Sequence, residues 1–213
     1  MQPCNPIPHE YYTGNATRPY RILELGAGTG YVGIALARRL CAECKIYITD
    51  LSDVSPLIQK NVDHYQDSLT AQVEVQHLHW GDAEHCHQIL EDGEIDLVIV
   101  SDCVYFPELF EVLTETLLQV CSMNTKVVIG YKSRSLEKET GFWQDYFGRY
   151  FEYEPVRQIS LPTADENDDE EPVDEIFGQE EELYIFLGHK RLPHHYKKAD
   201  DTFTTLLFCA MNV

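Results

Sequence analysis

Apolar and polar positions along the chain alternate between two periods. Residues 20 to 25 (YRILEL) form an apolar run that reads as a strand, and YVGIALARRL, after a glycine-rich turn, spaces its apolar residues as a helix does. Strand, glycine turn and helix together open a βα unit. KIYITD (45 to 50) reads as a second strand, followed by a helix from Ser55-Pro56 through about His64, with Ser55 as the expected N-cap and proline in the first turn. AQVEVQHLHW alternates as a third strand should. EIDLVIVSD is a fourth strand, apolar enough to be buried on both faces and preceded by the turn EDGE. PELFEVLTETLLQVC then makes an amphipathic helix, KVVIGYK a fifth strand and LEKETGFWQDYFGRY a further helix. Strict alternation of this kind predicts an α/β fold, a doubly wound and mostly parallel sheet covered on both sides.

After Tyr150 the alternation breaks. FEYEPVRQIS reads as a strand, and beyond an acidic stretch come LYIFLGHKR, which suits either strand or helix, and TFTTLLFCAM. Late strands joined without a long crossover helix pair antiparallel, so an antiparallel strand is expected at one edge. There is no internal repeat and no linker long enough to separate two domains. The expected organisation is one domain over residues 20–213, a short N-terminal extension over 1–19, and an acidic, disordered loop at about 162–182.

Composition narrows the function. The formal charge of -20 argues against nucleic acid, because duplex binding depends on neutralising phosphates with Lys and Arg. An acidic surface instead favours basic proteins. Much of the acidity is local: no Lys or Arg occurs from Gln158 to His189, where ADENDDEEPVDE and GQEEE lie. This run reads as a solvated loop before it reads as a docking surface. No apolar run approaches the ~18 residues of a membrane helix, and MQPCNPIPHEYYTG lacks the regions of a signal peptide, so a cytoplasmic or nuclear protein is expected. Seven cysteines scattered over 4, 41, 44, 86, 103, 121 and 209 suggest reduced thiols. Neither Cys41-Ala-Glu-Cys44 nor the histidines of HLHWGDAEHCHQ and LPHHYKK provide a convincing ligand set, and no metal is expected.

The glycines of ELGAGTG (24 to 30) carry the first candidate chemistry. In an open α/β sheet, ligands bind beyond the carboxyl ends of the strands, and a glycine turn lets a cofactor approach the backbone. Glu24 is costly to bury unpaired and is expected to face that ligand. Gly28, Gly30 and Gly33 also satisfy the dinucleotide fingerprint, with Asp50 at the spacing of a ribose-binding acid. The glycines alone therefore do not choose between cofactors.

With the later segments the pattern becomes more specific. Glu24-Leu-Gly26-Ala27-Gly28-Thr-Gly30, Asp50 closing the second strand, Trp80-Gly81-Asp82 after the third and Asp102-Cys-Val-Tyr105 after the fourth together resemble the seven-β-strand S-adenosylmethionine-dependent methyltransferases. More narrowly, they resemble the protein-lysine methyltransferase branch of the DxxY type, similar to methyltransferase family 16. The resemblance covers about residues 20 to 160 and implies a seven-stranded Rossmann-like sheet. It also implies S-adenosyl-L-methionine as cofactor, S-adenosyl-L-homocysteine as product, and a basic, lysine-bearing protein such as a translation elongation factor as substrate; a monomer is expected. By this resemblance the glycine loop passes along the methionine part of the cofactor, with Glu24 near its amino group. Asp50, beside Leu51, accepts the ribose hydroxyls, Trp80 lies against the adenine, and Asp82 or Ala83 meets its edge. Ser101 begins the segment passing under the sulfonium. Tyr131 and Arg134, in GYKSRS, fall where this family places a loop bordering the substrate channel. Members of the branch carry a tryptophan-bearing helix before the glycine strand, whereas MQPCNPIPHEYYTGNATRP shows neither, so a lowered cofactor affinity is expected.

Methyl transfer to lysine needs a neutral amine in line with methyl and sulfur, so positioning is most of the catalysis. Free lysine has a pKa of ~10.4 and arrives protonated. Burial and the sulfonium charge lower that value, whereas a carboxylate raises it. Asp102 is therefore expected to capture and align the lysine, and Tyr105 to orient the amine and present an aromatic face to the cation. A small-molecule methyltransferase is disfavoured by DxxY followed by Phe and Pro. An NAD-dependent oxidoreductase leaves Glu24 and DCVY without roles. A non-catalytic methyltransferase-like scaffold for a basic partner is the alternative from another class, and cofactor binding discriminates it.

Overall fold

The computed structural model describes residues 5–156 and 183–210. Seven strands make one sheet in the order β3-β2-β1-β4-β5-β7-β6. They are β1 (Tyr20–Leu25), β2 (Cys44–Asp50), β3 (Gln72–His77), β4 (Leu97–Ser101), β5 (Lys126–Lys132), β6 (Phe151–Pro155) and β7 (Leu183–Lys190). β1 to β5 pair in parallel. The antiparallel element is β7, inserted between β5 and the edge strand β6 and antiparallel to both. The ambiguous segment LYIFLGHKR is thus a strand.

Alternate side chains of each strand feed two layers. On one face, Leu23, Leu25, Val98, Val100 and Ile129 pack under α4 (Ala83–Leu90), α5 (Phe110–Val120) and the helical stretch of α6 (Leu136–Gly141), a π-helical turn (Phe142–Phe147) and α7 (Gly148–Tyr150). On the other, Ile22, Ile46 and Ile48 pack against α2 (Tyr31–Ala37) and α3 (Ser55–Tyr65). Ile7, and Tyr11 in the short helix α1 (Glu10–Thr13), close the second layer, so this part of the N-terminal extension packs onto the domain. Between β6 and β7 lies the acidic run, outside the described residues.

Three local details depart from the sequence reading. Ser55 is the first helical residue rather than the cap; Val54 caps α3 without a side-chain bond, and the Ser55 hydroxyl donates to Leu51 O at 3.1 Å. Residues 83–90, to which the sequence pattern assigns no element, form α4. In the late segment, TFTTLLFCA is helical, α8 (Thr202–Ala210), and lays Phe203 flat on Trp143 with ring centroids 5.3 Å apart.

The register aligns the carboxyl ends of the central strands. Leu25 of β1 stands between Thr49 of β2 and Val100 of β4. The loops that begin at Gly26, Leu51 and Asp102 consequently open on one side of the sheet.

Candidate active site

The chain leaves β1 through Gly26 and Gly28, at φ 64° and 59°, backbone that disfavours any other residue. A Cβ on Gly26 would meet Cys103 Sγ at 2.8 Å and the Trp80 ring at 2.9 Å. A Cβ on Gly28 would meet nothing within 4 Å. The first glycine is therefore required by packing beneath the turn. The second leaves open space above it, where a ligand can lie against bare backbone. The turn is fixed by Ala27 N–H donating to Thr49 O at 3.0 Å and Gly30 N–H to Ala27 O at 2.9 Å.

Asp50, at the end of β2, ties the turn to the next loop: its two carboxylate oxygens accept Gly28 N–H and Leu51 N–H, each at 2.7 Å. A carboxylate has about four acceptor sites, so both oxygens keep capacity for further donors such as a vicinal diol. Leu51 beside it is half exposed.

Glu24 corrects the sequence reading. Its carboxylate turns into the protein, 1% exposed, and accepts Gly33 N–H at 2.8 Å. Gly30 precedes α2 and offers no side-chain cap, so a first-turn donor of the helix would otherwise go unsatisfied. Gly33 leaves the room needed, since a Cβ there would lie 2.6 Å from Glu24 Oε2. Burial pushes the Glu24 carboxyl up to about 7, against the Gly33 hydrogen bond and helped by the Asp50 charge. The residue supports the glycine turn from below.

Trp80 follows β3 and is partly buried against the core layer, with its ring edge at Gly26. Gly81, at φ 84°, donates its N–H to Thr116 Oγ1 at 2.8 Å and directs the chain into α4. Asp82 is the cap of α4: its Oδ1 accepts from Glu84 N at 2.9 Å and His85 N at 3.1 Å, and the His85 hydrogen bond leads in holding its carboxyl below the usual range. Ala83 is exposed at the helix start.

At the end of β4, Ser101 lies opposite Gly130 of β5. Asp102 then takes a left-handed conformation, φ 57°, with its N–H donating to Gly130 O at 2.8 Å. This turn throws its carboxylate outward, where Arg134 grips it: Nη1 donates to Oδ1 and Nη2 to Oδ2, both at 2.7 Å. The Arg134 guanidinium also sits 5.2 Å from the Tyr105 ring centre. Asp102, Tyr105 and Arg134, all three assigned to the site by the resemblance, are thus brought together.

Tyr131 is not. β5 alternates its burial, and Tyr131 falls on the inward side, 1% exposed, against Trp143 with ring centroids 5.5 Å apart. Its hydroxyl donates to Glu139 Oε2 at 2.6 Å, so it braces the loop instead of lining it. Two residues absent from the sequence reading belong to the site. Buried Glu139 also accepts Arg134 N–H, at 3.0 Å, and so anchors the loop. Cys103, inside the DxxY motif, lies under the glycine turn with its Sγ 3.7 Å from Gly26 O. Burial pushes its thiol up to about 12, which makes it a packing group rather than a nucleophile. Its position between Asp102 and Tyr105, on the inward side of the turn, was the available signal.

Among the described residues, no group of three or more His, Cys, Asp or Glu could hold a metal ion, and no helix is long and apolar enough to cross a membrane. The residues present do fit a nucleoside thioether or sulfonium: bare backbone at Gly28, acceptor capacity at Asp50, and an aromatic surface at Trp80 on one edge.

The comparisons agree with this geometry. Residues 7–146 match the family model described as lysine methyltransferase. The chain is similar to the protein-lysine N-methyltransferase EFM6 of Saccharomyces cerevisiae, 32% identical over 57% of this chain and 54% of the relative. It is also similar to the EEF1A lysine methyltransferase 3 of Xenopus tropicalis, 32% identical over 65% of this chain and 58% of the relative. The protein N-lysine methyltransferase METTL21A of Danio rerio is 30% identical over 69% of this chain and 66% of its own length. The chain therefore spans between half and two thirds of these relatives. A solved Nostoc punctiforme structure described as a candidate O-methyltransferase shares the fold, with a TM-score of 0.50 and 12% identity over 82% of this chain and 53% of the other. With two thirds of its length matched by the family model and seven strands in one mostly parallel sheet, the chain belongs to the seven-strand lysine methyltransferase family.

Proposed function

We propose that the chain is an S-adenosylmethionine-dependent protein-lysine N-methyltransferase of the cytosol, whose target is a basic protein of the translation elongation-factor class. One observation carries the reading: a carboxylate and an aromatic face, Asp102 and Tyr105, converge on a cation at the carboxyl end of β4, beside the glycine turn. The relatives support the choice of lysine, and one of them, named for EEF1A, supports the target class.

The Gly26–Gly30 turn, Asp50, Leu51 and Trp80 would hold S-adenosylmethionine, which supplies an electrophilic methyl group on a sulfonium. The chain's own residues provide capture and aim. Asp102 pairs with the arriving ammonium and fixes its distance from the turn. The Tyr105 ring holds the same cation through its face, an attraction worth about 0.5–2 kcal/mol that persists once water is excluded. Asp102 and Tyr105 are exposed, so desolvation of the amine, and the loss of its proton to water, awaits the substrate's own surface closing the cleft.

Calorimetric titration with S-adenosylhomocysteine tests the reading, with NADH as control. Asp50→Ala should weaken binding at least about tenfold, the order expected for loss of a charged hydrogen-bond acceptor. Transfer of labelled methyl to elongation factor 1A should then collapse in Asp102→Ala while nucleoside binding persists. Absence of binding by the intact chain would replace the enzyme with a non-catalytic scaffold of the same fold.

A further inference from the structure

The lysine site described above already contains a cation. Arg134 satisfies both oxygens of Asp102 at 2.7 Å and covers the Tyr105 ring at 5.2 Å, the two contacts assigned to the incoming ammonium. A substrate lysine and the guanidinium cannot share them, because two cations within one ion pair's reach repel and the carboxylate's fork is filled.

Two features show that this occupancy is built into the loop. The root of the side chain is fixed: Glu139, 1% exposed, accepts the Arg134 N–H at 3.0 Å, the Tyr131 hydroxyl at 2.6 Å and the Ser133 hydroxyl at 3.4 Å. Nη1 gains a further acceptor in Lys132 O at 3.3 Å, which aims the stem back toward β4. The head, by contrast, is loosely held. The Arg134 and Asp102 side chains are 43% and 49% exposed, and ion pairs so placed are weak enough for a competing cation to displace. A fixed root with a displaceable head is the construction of a latch.

The chemistry of the occupant fits. Arginine stays protonated at any working pH and its nitrogen lone pairs are delocalised over the guanidinium, so it is a much poorer nucleophile toward an electrophilic methyl than a lysine that has lost its proton. The site can therefore be filled by Arg134 without the chain consuming its own side chain.

We infer that Arg134 is an internal competitor for the substrate lysine: a guanidinium latch that holds Asp102 and Tyr105 together in the resting protein and must swing aside for an amine to enter. The inference rests on the proposed lysine site and adds its regulation. It makes Arg134 a determinant of amine affinity, opposite in sign to a residue that lines the channel and attracts substrate.

The test is an NMR chemical-shift titration of the full chain with Nα-acetyl-lysine N-methylamide, without methyl donor. Arg134→Ala and Arg134→Gln should each bind the probe about 2- to 5-fold more tightly than the unaltered chain, the range set by an exposed ion pair. Circular dichroism checks the fold of each variant, and Gln, which keeps most of the stem, supplies the answer if Ala perturbs the loop. Asp102→Asn should abolish the shifts, which places the amine at this site. Equal or weaker binding in both Arg134 variants overturns the latch, as does probe binding that survives Asp102→Asn. The titration needs no cofactor, so failure of the chain to bind S-adenosylhomocysteine would reject the enzymatic reading and still leave the latch measured.

Discussion

Glu24 shows how one side chain couples the glycine turn to stability. Its folded carboxyl is raised from 4.5 to about 7, chiefly by burial, so the folded protein holds this proton more tightly than the unfolded chain does. Stability therefore falls as pH rises from about 4.5 to about 7 and is flat on either side for this group. The full span corresponds to a loss on the order of 3 kcal/mol. Glu24→Gln keeps an acceptor for Gly33 N–H and removes the charge. Urea unfolding should find the variant close to the unaltered chain at pH 5 and more stable at pH 8. Equal stability differences at the two pH values would show that Glu24 keeps its charge cheaply. The inward turn of this residue was hidden in the sequence because the space that admits it is made by Gly33, nine positions later, read there as part of a fingerprint.

At the scale of elements, what was legible followed from period. β1 and β5 coincide with the runs YRILEL and KVVIGYK because buried parallel strands must be apolar throughout or alternate cleanly. The same regularity puts Asp50, Ser101 and Asp102 where strands end and loops begin, whereas roles for Ser101 and Asp102 come from the resemblance and not from the period. Less legible were elements set by capping. Both α4 and α8 begin at an aspartate: Asp82 accepts two N–H groups of its helix, and Asp200 Oδ1 accepts Thr202 N–H at 3.0 Å. Each is short, and in α8 the mixture of threonine, phenylalanine and leucine suits a strand equally well. Asp200 does more than cap. With its side chain fully buried, it also receives Lys197 Nζ at 2.6 Å and Arg191 Nη2 at 3.3 Å, and Arg191 is itself almost entirely buried. Burial works to raise the Asp200 carboxyl, and the Lys197 and Thr202 hydrogen bonds outweigh it, leaving it below the ordinary range. Its contribution is thus complete at neutral pH and is lost only in acid, below the unfolded value. Asp200→Ala would take one of two carboxylates from buried Arg191, which keeps Glu152 at 2.8 Å, and would free the start of α8, at a cost of about 1–3 kcal/mol. Trp143 lies under Phe203 of that helix, so its fluorescence should report the undocking in a urea titration.

For the whole molecule, the charge of -20 makes association with the proposed basic, lysine-bearing target an electrostatic matter. The acidic run at 164–175 lies outside the described residues, and its sequence reads as a solvated loop before it reads as a docking surface. Salt separates these, because the site and the surface respond differently. The proposed nucleoside site is built on Asp50, whose carboxylate accepts Gly28 N–H at 2.7 Å, and short, directed hydrogen bonds of that kind are barely touched by screening. Encounter with a basic protein depends on the summed field, which decays over about 10 Å at 0.1 M salt. The KM for a basic protein substrate should therefore rise several-fold from roughly 0.05 to 0.3 M salt, with S-adenosylhomocysteine affinity nearly constant. If the acidic run is the docking surface, a variant lacking residues 164–175 should lose most of that salt dependence and start from the high-salt KM. If the run is solvated, the variant should keep the dependence, and the field would then come from the carboxylates spread over the folded domain, among them Glu108 and Glu111 just beyond the Asp102–Tyr105 cleft.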